Sequence, residues 1–341
     1  MVPDTNFGGL QTMIGSLPYK DPDKAVQVVM RYMKDLPAWP QLPKRAYVEN
    51  MYTQYSEGFP GIVVANNKTF VDRKQDLTKS LERFYTDYLA NDFTKYSVSA
   101  KYAAGLHKFL AQGSLASRAV KGQITGPVSW GFTITDETGK AIIYDETFAD
   151  VVPKFLRLRA SWMEHALRKI NKNVIIFLDE PYMSAFGSVG MQLTREQVIG
   201  LLNETYAGIS GLKGVHCCGN TDWSLLLQTP IDILNFDAYD YAGSLAIYTA
   251  EVKKFIDRGG VIAWGIIPTS TEAILKESVP ALKDRLEEAM APFTRNGLPF
   301  KKLVEKSLLT PACGLPTVTE DAAERAFQLL AELSDTMRKK L

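Results

Sequence analysis

The chain has 341 residues, 46% of them hydrophobic and 23% charged, with a formal net charge of +1. This is the composition of a globular protein, and the dispersed, nearly balanced charge excludes the basic footprint of a nucleic-acid binder. No run approaches the ~20 continuous apolar residues of a membrane-spanning helix, residues 1–11 show no basic-then-apolar secretory pattern, and three cysteines cannot build a disulfide framework. A reducing, cytoplasmic location is therefore expected.

Short apolar runs alternate with helical patterns, which is the signature of βα units around a parallel sheet. Eight strands are predicted, at 12–16, 45–49, 119–124, 174–179, 214–218, 231–237, 260–267 and 307–311. Asp21-Pro22 caps a periodic segment at 25–36. The stretch 61–72, with Asn66-Asn67 at its middle, reads as a small hairpin or flap, and 76–112 reads as extra helices. Thr194 and Gln197 resemble a capping box ahead of 198–207. A long amphipathic segment at 272–292 should kink or split at Pro280, and Thr319 caps 320–333. The expected fold is a single (β/α)8 TIM barrel over 1–341, with an inserted hairpin and helical segment at about 58–112, between the second and third strands. A doubly wound open sheet is the alternative, but neither GxGxxG nor a phosphate loop supports it.

A barrel of this kind gathers its functional groups at the C-terminal ends of its strands. Those ends carry Gly15-Ser16-Leu17-Pro18, Thr125-Gly126-Pro127, Asp179-Glu180-Pro181, His216-Cys217-Cys218, Asp237 and Cys313-Gly314. His216 and Cys218 are two apart, so on a strand they leave the same face. With Cys313 they form a three-ligand set of imidazole and thiolates that suits zinc and leaves one position open. The plainer reading is that these are buried core residues, as free cysteines often are. Cys217 faces away from Cys218 and packs behind the strand. His107 and His165 lie on helical patterns as structural or surface histidines. The segment Trp39-Pro40-Gln41-Leu42-Pro43 reads as a rigid loop.

Ile14-Gly15-Ser16-Leu17-Pro18, Thr125-Gly126-Pro127-Val128, Leu178-Asp179-Glu180-Pro181, His216-x-Cys218 and Cys313-Gly314-Leu315 form an ordered set. In this order the chain resembles the C-terminal catalytic barrel of the cobalamin-independent methionine synthases, in the short form without the N-terminal barrel. His216-Cys217-Cys218-Gly219-Asn220-Thr221 also resembles the wider superfamily of uroporphyrinogen decarboxylases and methylcobalamin:coenzyme M methyltransferases.

The resemblance implies zinc held by His216, Cys218, Cys313 and a carboxylate. At that fourth position Asp237 stands where the family has a glutamate, and Asp240 is a second candidate. It also implies a methyltransferase that converts the thiol of L-homocysteine into L-methionine. Asp179 would pair with the substrate ammonium, with Glu49 alongside. Ser16 and the backbone around Ile14 and Gly15 would receive the carboxylate. Asp179 and Asp237 are thus the expected catalytic carboxylates. The segment 264–269, Trp-Gly-Ile-Ile-Pro-Thr, lacks the histidine that the long enzymes associate with protonating a folate leaving group. Methylcobalamin or a methylated corrinoid protein is therefore the expected donor, rather than methyl-folate. The alternatives are methylation of another thiol such as coenzyme M, a porphyrinogen decarboxylase, and a non-catalytic zinc protein serving corrinoid binding.

Overall fold

A computed structural model describes residues 5–341. The strands in chain order are β1 (Leu10–Gln11), β2 (Ile62–Ala65), β3 (Lys68–Val71), β4 (Val120–Thr125), β5 (Thr135–Asp136), β6 (Val174–Asp179), β7 (Leu212–Cys217), β8 (Ile233–Asp237), β9 (Val261–Ile267) and β10 (Ser307–Pro311). Seven of them make one curled sheet in the order β1-β10-β9-β8-β7-β6-β4, and β2, β3 and β5 make a small second sheet. Every pair in the larger sheet is parallel. Helices fill the crossovers, as parallel pairing requires.

The expected second strand is not there. Residues Tyr47–Glu49 form a single 3-10 turn, and the first strand shrinks to Leu10–Gln11. Between the edge strands β1 and β4 runs the segment 35–41, whose Pro37 and Pro40 have no N–H to give to a ladder. It makes two isolated parallel bridges, Ser16↔Gln41 and Ala38↔Lys121. Its backbone bonds are Gln41 N–H to Gly15 O at 2.9 Å, Leu17 N–H to Gln41 O at 2.9 Å and Lys121 N–H to Pro37 O at 2.9 Å. The stretch read as a rigid loop thus lies where a strand was expected. Side chains reinforce it: Gln41 donates to Gln54 Oε1 (2.8 Å) and the Tyr55 hydroxyl (3.1 Å), and Tyr55 donates to Gln123 O (2.7 Å).

The two faces of the large sheet carry different cores. Outside, one extensive cluster joins the strands to the helices. Inside, a separate cluster holds Leu10, Ile175, Phe177, Leu212, Ile233, Val261, Ala263 and Leu308. Stepping by two from these residues keeps to the inner face. Ile175 and Phe177 lead to Asp179, Leu212 and Gly214 to His216, Ile233 to Asn235 and Asp237, and Leu308 to Thr310. The interior is apolar at the start of the strands and polar at their ends, so the polar groups collect at one end of the sheet.

Local signals explain the surrounding helices. Thr194 and Gln197 form both halves of a capping box on Arg195–Tyr206, and Thr319 accepts from Ala322 N–H at the head of Glu320–Arg338. The expected break at Pro280 divides Thr271–Lys276 from Val279–Arg295, with the proline in the first turn where its missing N–H is harmless. β2 and β3 pair antiparallel about Asn66 and Asn67, both at positive φ (51° and 54°) as a type I′ turn demands. Among the described residues no helix is long and apolar enough to cross a membrane.

The connection between 55 and 97 is anchored by one buried side chain. Arg159, fully buried on the helix Glu146–Arg168, donates to Tyr96 O at 2.7 Å and also to the carbonyls of Ser97 and Glu57. Burial pulls its guanidinium down to about 10, still protonated at neutral pH. Arg159→Leu would strand these carbonyls, each costing about 1–3 kcal/mol, partly offset by no longer burying a charge. The expected net loss is about 2–4 kcal/mol in urea-denaturation free energy, and a loss below about 0.5 kcal/mol would contradict this account.

Candidate metal centre

His216 is the last inner-facing residue of β7, Cys218 lies just past the strand's end, and Cys313 lies just beyond β10. One ligand atom from each, the imidazole and the two sulfurs, lies within 4.8 Å of the others. Strand topology brings them together: two strands, β8 and β9, separate β7 from β10, and the curl of the sheet turns all these ends toward a common centre. The three residues border a cavity of about 310 Å³ that also exposes Ile14, Ser16, Met51, Asp179, Pro181 and Thr269.

The donor set fits zinc. His216 is 3% exposed. Its Nδ1 lies 2.5 Å from Asn235 Oδ1, while its Nε2 is buried without any hydrogen-bond partner. A buried imidazole nitrogen left unpaired beside two sulfurs is free to serve as a metal ligand. The neighbouring Cys313 thiol, and then the His216 imidazole, hold the Cys218 thiol far below its ordinary range. The Cys313 thiol is in turn pushed up by Cys218 and by burial. Cys217 is buried on the other side of the strand, its thiol pushed up to about 12 by burial.

Asp179 stands beside His216 in the β6–β7 register. It is 4% exposed, and its Oδ1 has no partner. Burial pushes its carboxyl up, opposed by the charges of His216 and Lys121. Lys121, fully buried, reaches in from β4 to donate to Ile14 O at 2.7 Å and Gln123 Oε1 at 3.2 Å. Its ammonium also sits 4.4 Å from the Phe177 ring centroid. Gly15 is required next to this network, because a Cβ there would overlap Gln41 Oε1 and the Gln123 amide.

Other expected residues stand apart. Asp237 ends β8 but is not in the three-residue cluster or the cavity wall. Its Oδ1 accepts from Asp240 N–H at 2.9 Å, and burial pushes its carboxyl up to about 6. Glu49 is buried against Arg45 and does not border the cavity. His107 Nε2 bonds with Val98 O at 2.8 Å, and the His165 ring packs 5.5 Å from that of Phe93. Both take the structural part expected of them.

Two of the motifs explain each other. The Glu180 carboxylate accepts from Val128 N–H (3.0 Å) and Ser129 N–H (2.7 Å), capping the helix Pro127–Thr133 from a neighbouring strand end. A Cβ on Gly126 would occupy the space of that carboxylate. Thr125-Gly126-Pro127 and Glu180 thus hold the end of β6, and Asp179 with it. Sequence reasoning missed Asn235, Lys121 and Gln123. The available signal was their spacing of two from Asp237 and from each other, polar residues repeating on one face of a buried strand.

No family model matches the chain. The methionine synthase of Methanocaldococcus jannaschii is 24% identical over 222 residues, a match spanning 64% of this chain and 65% of that protein. Among solved structures, a B12-independent methionine synthase from Shewanella sp. W3-18-1, in complex with selenomethionine, superposes with a TM-score of 0.62 at 15% identity, covering 97% of this chain and 98% of that one. A putative vitamin-B12-independent methionine synthase from Listeria monocytogenes gives 0.58 at 14% identity, covering 95% and 96%. A methyltransferase from Methanosarcina mazei gives 0.57 at 12%, covering 95% and 93%. These structural likenesses establish the fold.

If the cluster holds zinc, Cys218→Ser and Cys313→Ser each replace a soft thiolate with a poor ligand. Each variant should bind zinc more than about 100-fold more weakly in competition with a chromogenic chelator, while its circular dichroism stays native. Retention of zinc by both variants would place the metal elsewhere.

Proposed function

We propose that the protein is a zinc-dependent methyltransferase that methylates the thiol of L-homocysteine to give L-methionine, with a methylated corrinoid as the donor. The observation carrying this reading is the pairing, on one small cavity, of the soft His216–Cys218–Cys313 set with the unpartnered carboxylate of Asp179. A thiol substrate with an ammonium at its other end answers both groups. The named relatives are consistent with this reading.

A zinc ion bound by His216, Cys218 and Cys313 would supply the Lewis acidity that converts an incoming thiol into a thiolate near neutral pH. The chain's own residues do the rest. Asp179, with one oxygen unpaired, receives the substrate ammonium, and the charge of Lys121 favours the ionised carboxylate against its burial. Ser16, on the cavity wall, can donate its hydroxyl to the substrate carboxylate. Asp237, at the end of β8 and outside the three-ligand cluster, would reach the metal only by turning away from the Asp240 amide. The apolar Ile14, Met51, Pro181 and Pro316 restrict water around the sulfur and fix its direction of attack.

The donor assignment follows from what borders the cavity after β9. Thr269 stands there, and His107 and His165 are committed to Val98 and Phe93. No imidazole besides His216 borders the cavity, so a leaving group that requires protonation is poorly served. A methyl–cobalt bond cleaves with both electrons staying on cobalt and needs no acid. The partner implied is a corrinoid protein presenting methyl-cobalt at the C-terminal face.

Two measurements test the reading. Zinc-loaded protein supplied with homocysteine should form methionine from methylcobalamin faster than from methyl-folate. Turnover of coenzyme M but not homocysteine would replace the acceptor, and preference for methyl-folate would replace the donor. Asp179→Asn should raise KM for homocysteine roughly 30- to 150-fold, about 2–3 kcal/mol for a lost buried charge pair. It should leave KM nearly unchanged for a thiol without an ammonium.

A further inference from the structure

One side chain touches three of the strands that converge on the metal cluster and has no role in the reading above. Asn235 lies on β8, fully buried. Its Nδ2 donates to Ala263 O on β9 (2.9 Å) and to Thr310 Oγ1 on β10 (2.9 Å). A backbone carbonyl can only accept, so the amide orientation is settled: nitrogen toward β9 and β10, oxygen toward β7. The group 2.5 Å from that oxygen is His216 Nδ1. An amide oxygen has no hydrogen to give, so the proton in this contact belongs to the imidazole. In the neutral ring that binds a metal, the other nitrogen, Nε2, carries the lone pair, and it is the buried atom without a partner in the protein.

We propose that Asn235 is a positioning residue that locks His216 in its Nδ1–H form and so presents Nε2 as the metal ligand, while tying β7 to the strand that leads to Cys313. This rests on the zinc reading of the proposed function and deepens it. The energetic logic is that of an outer partner to a metal-bound histidine. It fixes the ring plane, excludes the tautomer with a proton on the ligating nitrogen, and raises the basicity of the lone pair. Asn235 differs from a carboxylate in that role because its own amide is fixed by two donations, so the acceptor cannot rotate away. Thr310 is the second part of the device: three residues before Cys313, it couples the imidazole to the strand carrying the distant thiolate.

The test uses the full chain loaded with zinc. Asn235→Leu should weaken zinc roughly 10- to 100-fold in chelator competition. Asn235→Asp keeps an acceptor for Nδ1–H but turns an oxygen toward the Ala263 carbonyl in place of the amide N–H, so it should bind zinc more tightly than Asn235→Leu and less tightly than the unsubstituted protein. Because Asn235→Leu could disturb folding, the protonation state is also read directly in the unsubstituted protein. Nitrogen-15 NMR on histidine-labelled, zinc-loaded protein should show the His216 proton on Nδ1 and the metal on Nε2. Metal on Nδ1, or a folded Asn235→Leu protein with undiminished zinc affinity, would overturn the assignment. If the unsubstituted protein binds no zinc at all, the fault lies in the zinc reading itself, which separates the two failures.

Discussion

Polar groups enclosed by a curled parallel sheet cannot reach water, so each must find a partner inside the protein or lose free energy. That constraint organises the molecule. The inner faces of β4, β6, β7, β8 and β10 carry Lys121, Gln123, Asp179, His216, Asn235 and Thr310, all buried. Lys121 is satisfied by Ile14 O and Gln123, Gln123 by Trp39 O, and Asn235 by Ala263 O and Thr310. The Gln123 bond to Trp39 O also holds the proline-bearing segment 35–41 between β1 and β4. Groups that close the sheet and groups that support the site thus sit side by side on the same inner face.

The exceptions within that network are as informative as its bonds. Two buried atoms facing the cavity residues are left without partners, His216 Nε2 and Asp179 Oδ1. Each belongs to a side chain otherwise held in place, by Asn235 for the imidazole and by the Glu180-capped strand end for the carboxylate. An arrangement that spends so many hydrogen bonds to fix two unpaired atoms has chosen where its ligands go. In the proposed function, one unpaired atom takes the metal and the other the ammonium of the thiol substrate.

Much of this was legible in the sequence, for identifiable reasons. Strand-length apolar runs at 174–179, 260–267 and 307–311 stand out because both faces of a parallel strand are buried. The hairpin was marked by Asn66-Asn67, two residues that tolerate positive φ. His216, Cys218 and Cys313 were conspicuous through the scarcity of their residue types. The expected second strand failed because its place is taken by a segment with prolines, whose role is visible only through bonds to residues far away in sequence. Asn235 is marked in the sequence only by its spacing of two from Asp237, which says that it shares a face with that acid but not what it touches. Its significance lies in contacts with residues 19, 28 and 75 positions away. Asp237 was conspicuous for the opposite reason, as an acid at a strand end, yet its carboxylate holds the Asp240 amide and lies outside the three-residue cluster.

The contact between Gly126 and Glu180 has a consequence for how this chain can evolve. A side chain at 126 and a glutamate at 180 compete for the same volume, and that glutamate also supplies the acceptors for the helix beginning at Pro127. Neither position can drift alone. Enlarging residue 126 evicts the carboxylate, whereas shortening residue 180 leaves two backbone amides and a void. The accessible route runs through simultaneous replacement, which is rare. Two short motifs more than fifty residues apart are thereby bound into a single heritable unit, whatever chemistry the neighbouring cavity is asked to perform.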